Sequence, residues 1–141
     1  MRPFEREIQI RVRYVETDQM GVVWHGNYLQ YFECGRTEAL RACGWSYREL
    51  EEAGIMLPLV EAHLEYPRPA KYDDLLTIRT TVRGPVSARI RFEYEVRNEA
   101  GETLTTGYTV HGFVDAKTRR PCRPPAKLKA LFASGHSTTE N

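Results

Sequence analysis

The sequence predicts an α+β fold: an antiparallel sheet covered on one face by a single long helix. Three observations carry this. Ala88, Ile90, Phe92, Tyr94 and Val96 alternate without exception with Arg89, Arg91, Glu93, Glu95 and Arg97; a helix would scatter these apolar residues around its axis, whereas a strand puts them all on one buried face. Four other segments show the same period of two, and hairpin-scale connections between successive strands favour antiparallel pairing. A run with helical spacing lies after the first of these strands and is the natural cover for the apolar face. The other face, with Arg11, Arg13, Arg79, Arg89, Arg91, Glu93 and Glu95, is expected to be solvated or to meet another subunit.

Taken in order, Ile8, Ile10, Val12 and Tyr14 alternate with Gln9, Arg11 and Arg13, a half-buried strand ending at Tyr14. A loop from Val15 to Gly26 follows. Asn27 is the expected cap of a helix of about four turns in which Leu29, Phe32, Ala39, Leu40 and Cys43 fall near one face. Gly35 inside it costs roughly 1 kcal/mol relative to Ala, and close approach to the sheet would compensate. Gly44 ends the helix. Ser46 caps a shorter helix from Tyr47 to Ala53 with Glu49 at the capping-box position. From Ile55 the period is two again: Val60, Ala62, Leu64 and Tyr66 face one way, and Glu61, His63 and Glu65 the other. Leu76, Ile78, Thr80 and Val82 share a face, Gly84-Pro85 turns the chain into the strand from Ala88, and Asn98 to Gly101 forms a hairpin loop. The last long strand, about Glu102 to Asp115, is expected to place Leu104, Tyr108, Val110 and Val114 on one side, with His111 and Phe113 on opposite registers of the other side or at a bulge, and His63 and His111 on polar strand faces. A short helix from Ala126 to Phe132 closes the domain.

A chain of 141 residues with 41% hydrophobic residues suits one core. One domain is expected over residues 1–133, with a disordered polar tail over 134–141. The net charge of +1 supplies no global attraction to nucleic acid, and no nucleic-acid partner is expected. No apolar run approaches the ~18 residues of a membrane span, and the N-terminal residues lack the apolar segment of a signal peptide, so a cytoplasmic location is expected. Cys34, Cys43 and Cys122 lack metal-ligand spacing and read as reduced thiols. Neither a metal nor a cofactor is expected.

The chemistry is placed at the junction of first strand and long helix, where Asp18 and His25 sit seven residues apart in one loop. A helix N-terminus leaves backbone N–H groups without intrahelical partners and carries about half a positive charge, so it can stabilise an oxygen that is becoming an anion. Asp18 admits two readings: a turn residue whose carboxylate binds backbone N–H groups, or a general base or nucleophile. His25 is either a hydrogen-bonded structural histidine or part of the site.

The run Asp18-x2-Gly21-x-Val23-x-His25-x-Asn27-Tyr28-x3-Phe32-Glu33, preceded by Tyr14, together with Pro69-Ala70-x-Tyr72-Asp73-Asp74-x-Leu76, resembles the hotdog-fold acyl-CoA thioesterases of the 4-hydroxybenzoyl-CoA type, the branch that includes the Tol-Pal-associated thioesterases. The resemblance spans roughly Ile8 to Phe132. It implies a curved antiparallel sheet of five to six strands wrapped around one long helix, assembly as a homodimer or homotetramer, and active sites at the subunit interface. It also implies hydrolysis of acyl-CoA, coenzyme A being part of the substrate. Asp18 matches the catalytic carboxylate, and His25 the position whose backbone N–H points at the thioester carbonyl. Tyr28, Phe32, Leu57 and Leu59 are the residues expected to set acyl-pocket depth. Arg89 is the expected contact for a coenzyme A phosphate, its plain alternative being the solvated side of its strand. Two other functions share the fold: a non-catalytic acyl-CoA binding module, and an enoyl-CoA hydratase or dehydratase.

Overall fold

The computed structural model describes residues 4–131. The expected tail over 134–141, and Phe132, lie outside these residues.

Strand β1 (Phe4–Arg11) is followed by a 3-10 turn (Tyr14–Glu16), helix α1 (Asn27–Ala42), helix α2 (Tyr47–Glu52), strands β2 (Ile55–Met56), β3 (Leu59–Glu65), β4 (Leu75–Val82), β5 (Arg89–Arg97), β6 (Thr103–Gly112) and β7 (Val114–Asp115), and helix α3 (Ala126–Leu131). Five strands form one antiparallel sheet in the order β1-β4-β5-β6-β3, while β2 and β7 pair separately. Helix α1 packs against β1, β4 and β5. This is the hotdog arrangement, a sheet around one central helix.

The periodic reading is correct in the middle of the sheet. Leu76, Ile78, Thr80 and Val82 of β4 and Ile90, Phe92, Tyr94 and Val96 of β5 are all buried under α1. Their outward neighbours pair across strands, Arg79 with Glu95, Arg83 with Glu93 and Arg97 with Glu7, so that face is a ladder of opposite charges. Gly35 of α1 lies against β4, where a Cβ would run into Thr80 Oγ1 and Ile78. Here a residue unfavourable to the helix is kept because the sheet leaves no room for a side chain.

Several boundaries and faces differ from expectation. Strand β1 stops at Arg11, and Tyr14 opens the 3-10 turn with 78% of its surface exposed. The N-cap position of α1 is Gly26; Asn27 is the first helical residue, and its side chain donates instead to the backbone oxygen of Glu16 at 2.8 Å. The buried face of α1 is Tyr28, Tyr31, Phe32, Gly35, Ala39 and Leu40, while Leu29 is exposed. Ser46 caps α2 in a capping box with Glu49, as the local pattern predicts. Strand β3 is one of the sheet's two edges, β1 being the other, and is largely exposed on both faces, including Leu59 and Val60.

The largest correction concerns β6. Val96 pairs with Thr105 but Arg97 with Thr103, so Leu104 is an extra residue in the ladder. That bulge buries Leu104 and Thr105 together and reverses the phase beyond them: Thr105, Thr109, His111 and then Phe113 are buried. Tyr108 is on the other face, where Arg91 stacks over its ring at 3.8 Å and its hydroxyl donates to Glu61 at 2.6 Å. His111 is thus a core residue.

Candidate active site

The loop carrying Asp18 is a small hairpin. Thr17 and Val23 form an antiparallel bridge, Asp18 N donates to the Val22 oxygen at 2.8 Å, and Gly21 N donates to the Asp18 oxygen at 3.0 Å. Gly21 takes φ +80°, a conformation that costs glycine little. Asp18 Oδ1 accepts from Met20 N at 2.8 Å. The turn role is therefore real, but it occupies one carboxylate oxygen; Oδ2 has no hydrogen-bond partner among the described residues.

The loop returns along the 70–71 connection, through Val23 N to the Ala70 oxygen at 2.9 Å and a bridge between Val22 and Lys71. It then enters α1. Asn27 N donates to the Trp24 oxygen at 2.9 Å and Tyr28 N to the His25 oxygen at 3.4 Å. The backbone N–H of His25 meets no acceptor among the described residues. His25 is exposed, with its ring 5.0 Å from that of Trp24 and 6.4 Å from that of Tyr66. The Tyr66 hydroxyl donates to the His25 oxygen at 3.3 Å.

Asp18, Met20, Val22, His25, Tyr28 and Tyr66 line a single cleft of about 200 Å³, together with Arg68 and Pro69. Tyr28 forms its buried wall, its hydroxyl accepting from Ala70 N at 3.2 Å. Desolvation raises the Tyr28 phenol above its usual range, so it is neutral and acts as a hydrogen-bonding wall. Asp18, His25 and Tyr28 are brought together as expected. Phe32 is not with them: it is fully buried and stacked on Tyr94 with ring centroids 4.0 Å apart. Leu57, Leu59 and Arg89 also lie outside this cleft, Leu57 packed against the core and Leu59 exposed on the edge strand.

Two participants escaped the sequence reading. Tyr66 lines the cleft and its hydroxyl reaches the His25 oxygen, although the alternation places it simply on an apolar strand face. Glu16 is buried to 6% exposure directly before the loop. Its Oε1 accepts from Arg13 N and from the Tyr31 hydroxyl, each at 2.9 Å, and its Oε2 pairs with the Arg13 guanidinium. Burial works against its ionised form, but the Arg13 backbone, the Tyr31 hydroxyl and the Arg13 guanidinium together outweigh burial and hold the carboxyl below the usual range. No local pattern reveals this, because Tyr31 reaches Glu16 from the next element.

No group of three or more His, Cys, Asp or Glu side chains among the described residues is placed to hold a metal ion, and no helix among them is long and apolar enough to cross a membrane.

The family model of the thioesterase-like superfamily matches residues 12–132. The chain belongs to that superfamily. A putative acyl-CoA thioesterase, YneP, of Bacillus subtilis is 34% identical to this thioesterase-superfamily chain, the match covering 94% of the chain and 93% of the relative. The structure of a DHNA-CoA thioesterase from Staphylococcus aureus superposes with a TM-score of 0.81 at 34% identity, covering 84% of this chain and 80% of the other. A 4-hydroxybenzoyl CoA thioesterase complexed with 4-hydroxybenzoyl CoA shares the fold, with a TM-score of 0.82 at 21% identity over 92% and 99% of the two chains. The hotdog architecture expected of this superfamily member is therefore present in its neighbours as well as in its own sheet order.

Proposed function

We propose that this chain hydrolyses an acyl-CoA thioester to the free acid and coenzyme A, with Asp18 as the catalytic carboxylate and the backbone N–H of His25 as oxyanion donor. One observation carries the reading: a carboxylate with one oxygen free among the described residues, and a residue at the start of α1 whose backbone N–H meets no acceptor among them, line the same cleft. Membership of the thioesterase-like superfamily supports thioester hydrolysis independently of that geometry.

In this mechanism the Asp18 carboxylate either takes a proton from water as it attacks the carbonyl carbon, or attacks that carbon itself to give a mixed anhydride that water then opens. The C–S bond breaks and coenzyme A leaves as the thiolate, which takes up a proton. Negative charge on the carbonyl oxygen is met by the His25 amide, which needs no reorganisation; such a donor is typically worth ~10²- to 10³-fold in rate.

A cleft of about 200 Å³ is small beside the roughly 300–1,000 Å³ of common ligand sites, which supports completion of the site by a second subunit. The exposed edge strand β3, with Leu59 and Val60 uncovered, supports a homodimer joined edge to edge, in which Leu57 and Leu59 border the acyl pocket. A groove of about 530 Å³ between Ser87-Ala88 and Cys122–Lys129 carries Arg123 and Lys129 beside the start of β5. Arg89 at that start forms no ion pair among the described residues, which supports its reading as a phosphate contact.

The deciding experiment is Asp18→Asn with release of free thiol as the readout. Asparagine keeps an oxygen for Met20 N, so the turn survives while charge and basicity are lost. A fall in kcat of at least ~10²-fold in folded protein is expected; wild-type turnover would refute the assignment. Single-turnover hydrolysis in ¹⁸O water then separates the routes: label enters the Asp18 carboxylate only if the anhydride forms. Sedimentation should show a dimer or tetramer, and a fully active monomer at nanomolar concentration would overturn the assembly.

A further inference from the structure

We infer that Glu16 is a positioning residue that fixes Asp18 relative to the N-terminus of α1, through a buried clamp on both ends of the catalytic loop. The inference rests on the reading of Asp18 as the catalytic carboxylate.

A buried carboxylate is costly unless its oxygens are paired, and one that persists has to be over-supplied with donors. Glu16 is. Its side chain holds the segment that follows β1 through three nitrogen atoms of Arg13, and α1 beside it through the Tyr31 hydroxyl. Its main chain does the complementary work: the Glu16 oxygen accepts from Trp24 N at 2.9 Å and from Asn27 Nδ2 at 2.8 Å. The side chain thus ties residue 16 to the second turn of the helix, and the carbonyl ties it to the loop's return and to the helix's first residue. Everything between, including Asp18, hangs from a stem whose two feet are joined at Glu16. Stability alone does not call for this arrangement, because the loop's own bridges from Thr17 to Val23 and Val22 to Lys71 already close it. What the clamp adds is the placement of the closed loop against the helix, the relation that sets the distance from the Asp18 carboxylate to the His25 amide. Catalytic groups must be held within about 0.5 Å of productive geometry, and a misplacement of about 1 Å can cost ~10²-fold in rate.

The test uses the full-length protein. Glu16→Gln keeps size and one acceptor oxygen but turns an amide donor toward the Arg13 guanidinium. It should lower kcat by ~10-fold or more with KM changed less than about two-fold, and amide exchange should accelerate at Trp24 and Asn27 but not in β4 and β5. Tyr31→Phe, which leaves the Arg13 pairing intact, should lower kcat in the same direction and serves if Glu16→Gln fails to fold. Ser46→Ala, which removes the α2 cap at a cost of ~1 kcal/mol, reports what stability loss alone does and should leave kcat unchanged. Wild-type kcat in both folded variants, or a loss that Ser46→Ala reproduces, overturns the proposal. Unchanged exchange at Trp24 in Glu16→Gln overturns it even where turnover falls. Activity surviving in Asp18→Asn sinks the reading of Asp18 instead, and the exchange measurement still decides whether Glu16 holds the loop.

Discussion

Nδ1 of His111 donates to the carbonyl oxygen of Leu57 at 3.1 Å, which assigns the ring's proton and makes the other nitrogen an acceptor. Nε2 accordingly accepts from the Thr109 hydroxyl at 3.0 Å, and Thr109 accepts from the Tyr94 hydroxyl at 2.6 Å. Tyr94 is in turn a partner of Arg36, which also donates through Nε to Tyr47 at 2.9 Å. A directional chain therefore runs from the helix, through the sheet, to the backbone just ahead of edge strand β3.

Burial, reinforced by the nearby Arg36 charge, pushes the His111 imidazole down to about 4. The unfolded chain takes up this proton near pH 6.5 while the folded chain does so only near 4, so stability from this residue is full above about pH 6.5 and is lost as pH falls toward 4. At about 1.4 kcal/mol per pH unit the loss is on the order of 3 kcal/mol. Denaturant melts between pH 7 and 4 should show it, and His111→Gln should be less stable at pH 7 with a flatter slope through the window. An unchanged slope in the variant would remove His111 as its source.

His25→Ala should cost far less than Asp18→Asn. The side chain is exposed and has no hydrogen bond among the described residues, while the backbone N–H that would serve the oxyanion is retained. Turnover within ~10-fold of wild type is expected, below the ~10²- to 10³-fold that loss of an oxyanion donor costs. A loss as large as that of Asp18→Asn would mean the imidazole itself takes part.

Arg89→Ala and Arg123→Ala should each raise KM for an acyl-CoA with little change in kcat, because a remote phosphate is held equally in ground and transition states. The effect should shrink as salt rises. A thioester lacking the nucleotide should not respond to either substitution, and a KM unchanged at low salt would leave Arg89 as ordinary surface charge.

Gly35→Ala should destabilise the fold although helix propensity alone predicts a gain of ~1 kcal/mol. The new methyl would meet Thr80 Oγ1 and Ile78 on β4, an overpacking expected to cost roughly 1–3 kcal/mol. Equilibrium unfolding at constant m-value measures it. Adding Thr80→Ala should recover part of the loss, and strict additivity of the two changes would contradict the contact.

Sequence alone determined what local pattern can encode. The inward residues of β4 and β5 are legible because the strands are regular; in β5 the other face is charged and burial follows the alternation, and in β4 the alternation breaks only at Thr81, which is buried on the outward register. The Ser46 cap is legible because both partners of its capping box lie within four residues. Asp18 and His25 are legible as a pair because one short loop carries both. Tertiary structure decided the rest. A single bulge at Leu104 reverses the face of β6 and turns Thr105, Thr109 and His111 inward; the polar groups of Thr109 and His111 are tolerated there because Tyr94 and the Leu57 carbonyl from other strands and loops meet them. Glu16 carries no local signal of its role: Tyr31 reaches its carboxylate and Asn27 its backbone oxygen from α1. Phe32 reads as a pocket residue until Tyr94 stacks on it. In each case the deciding partner is distant in the chain, and the energy of burying a polar or aromatic group depends on that partner rather than on sequence neighbours.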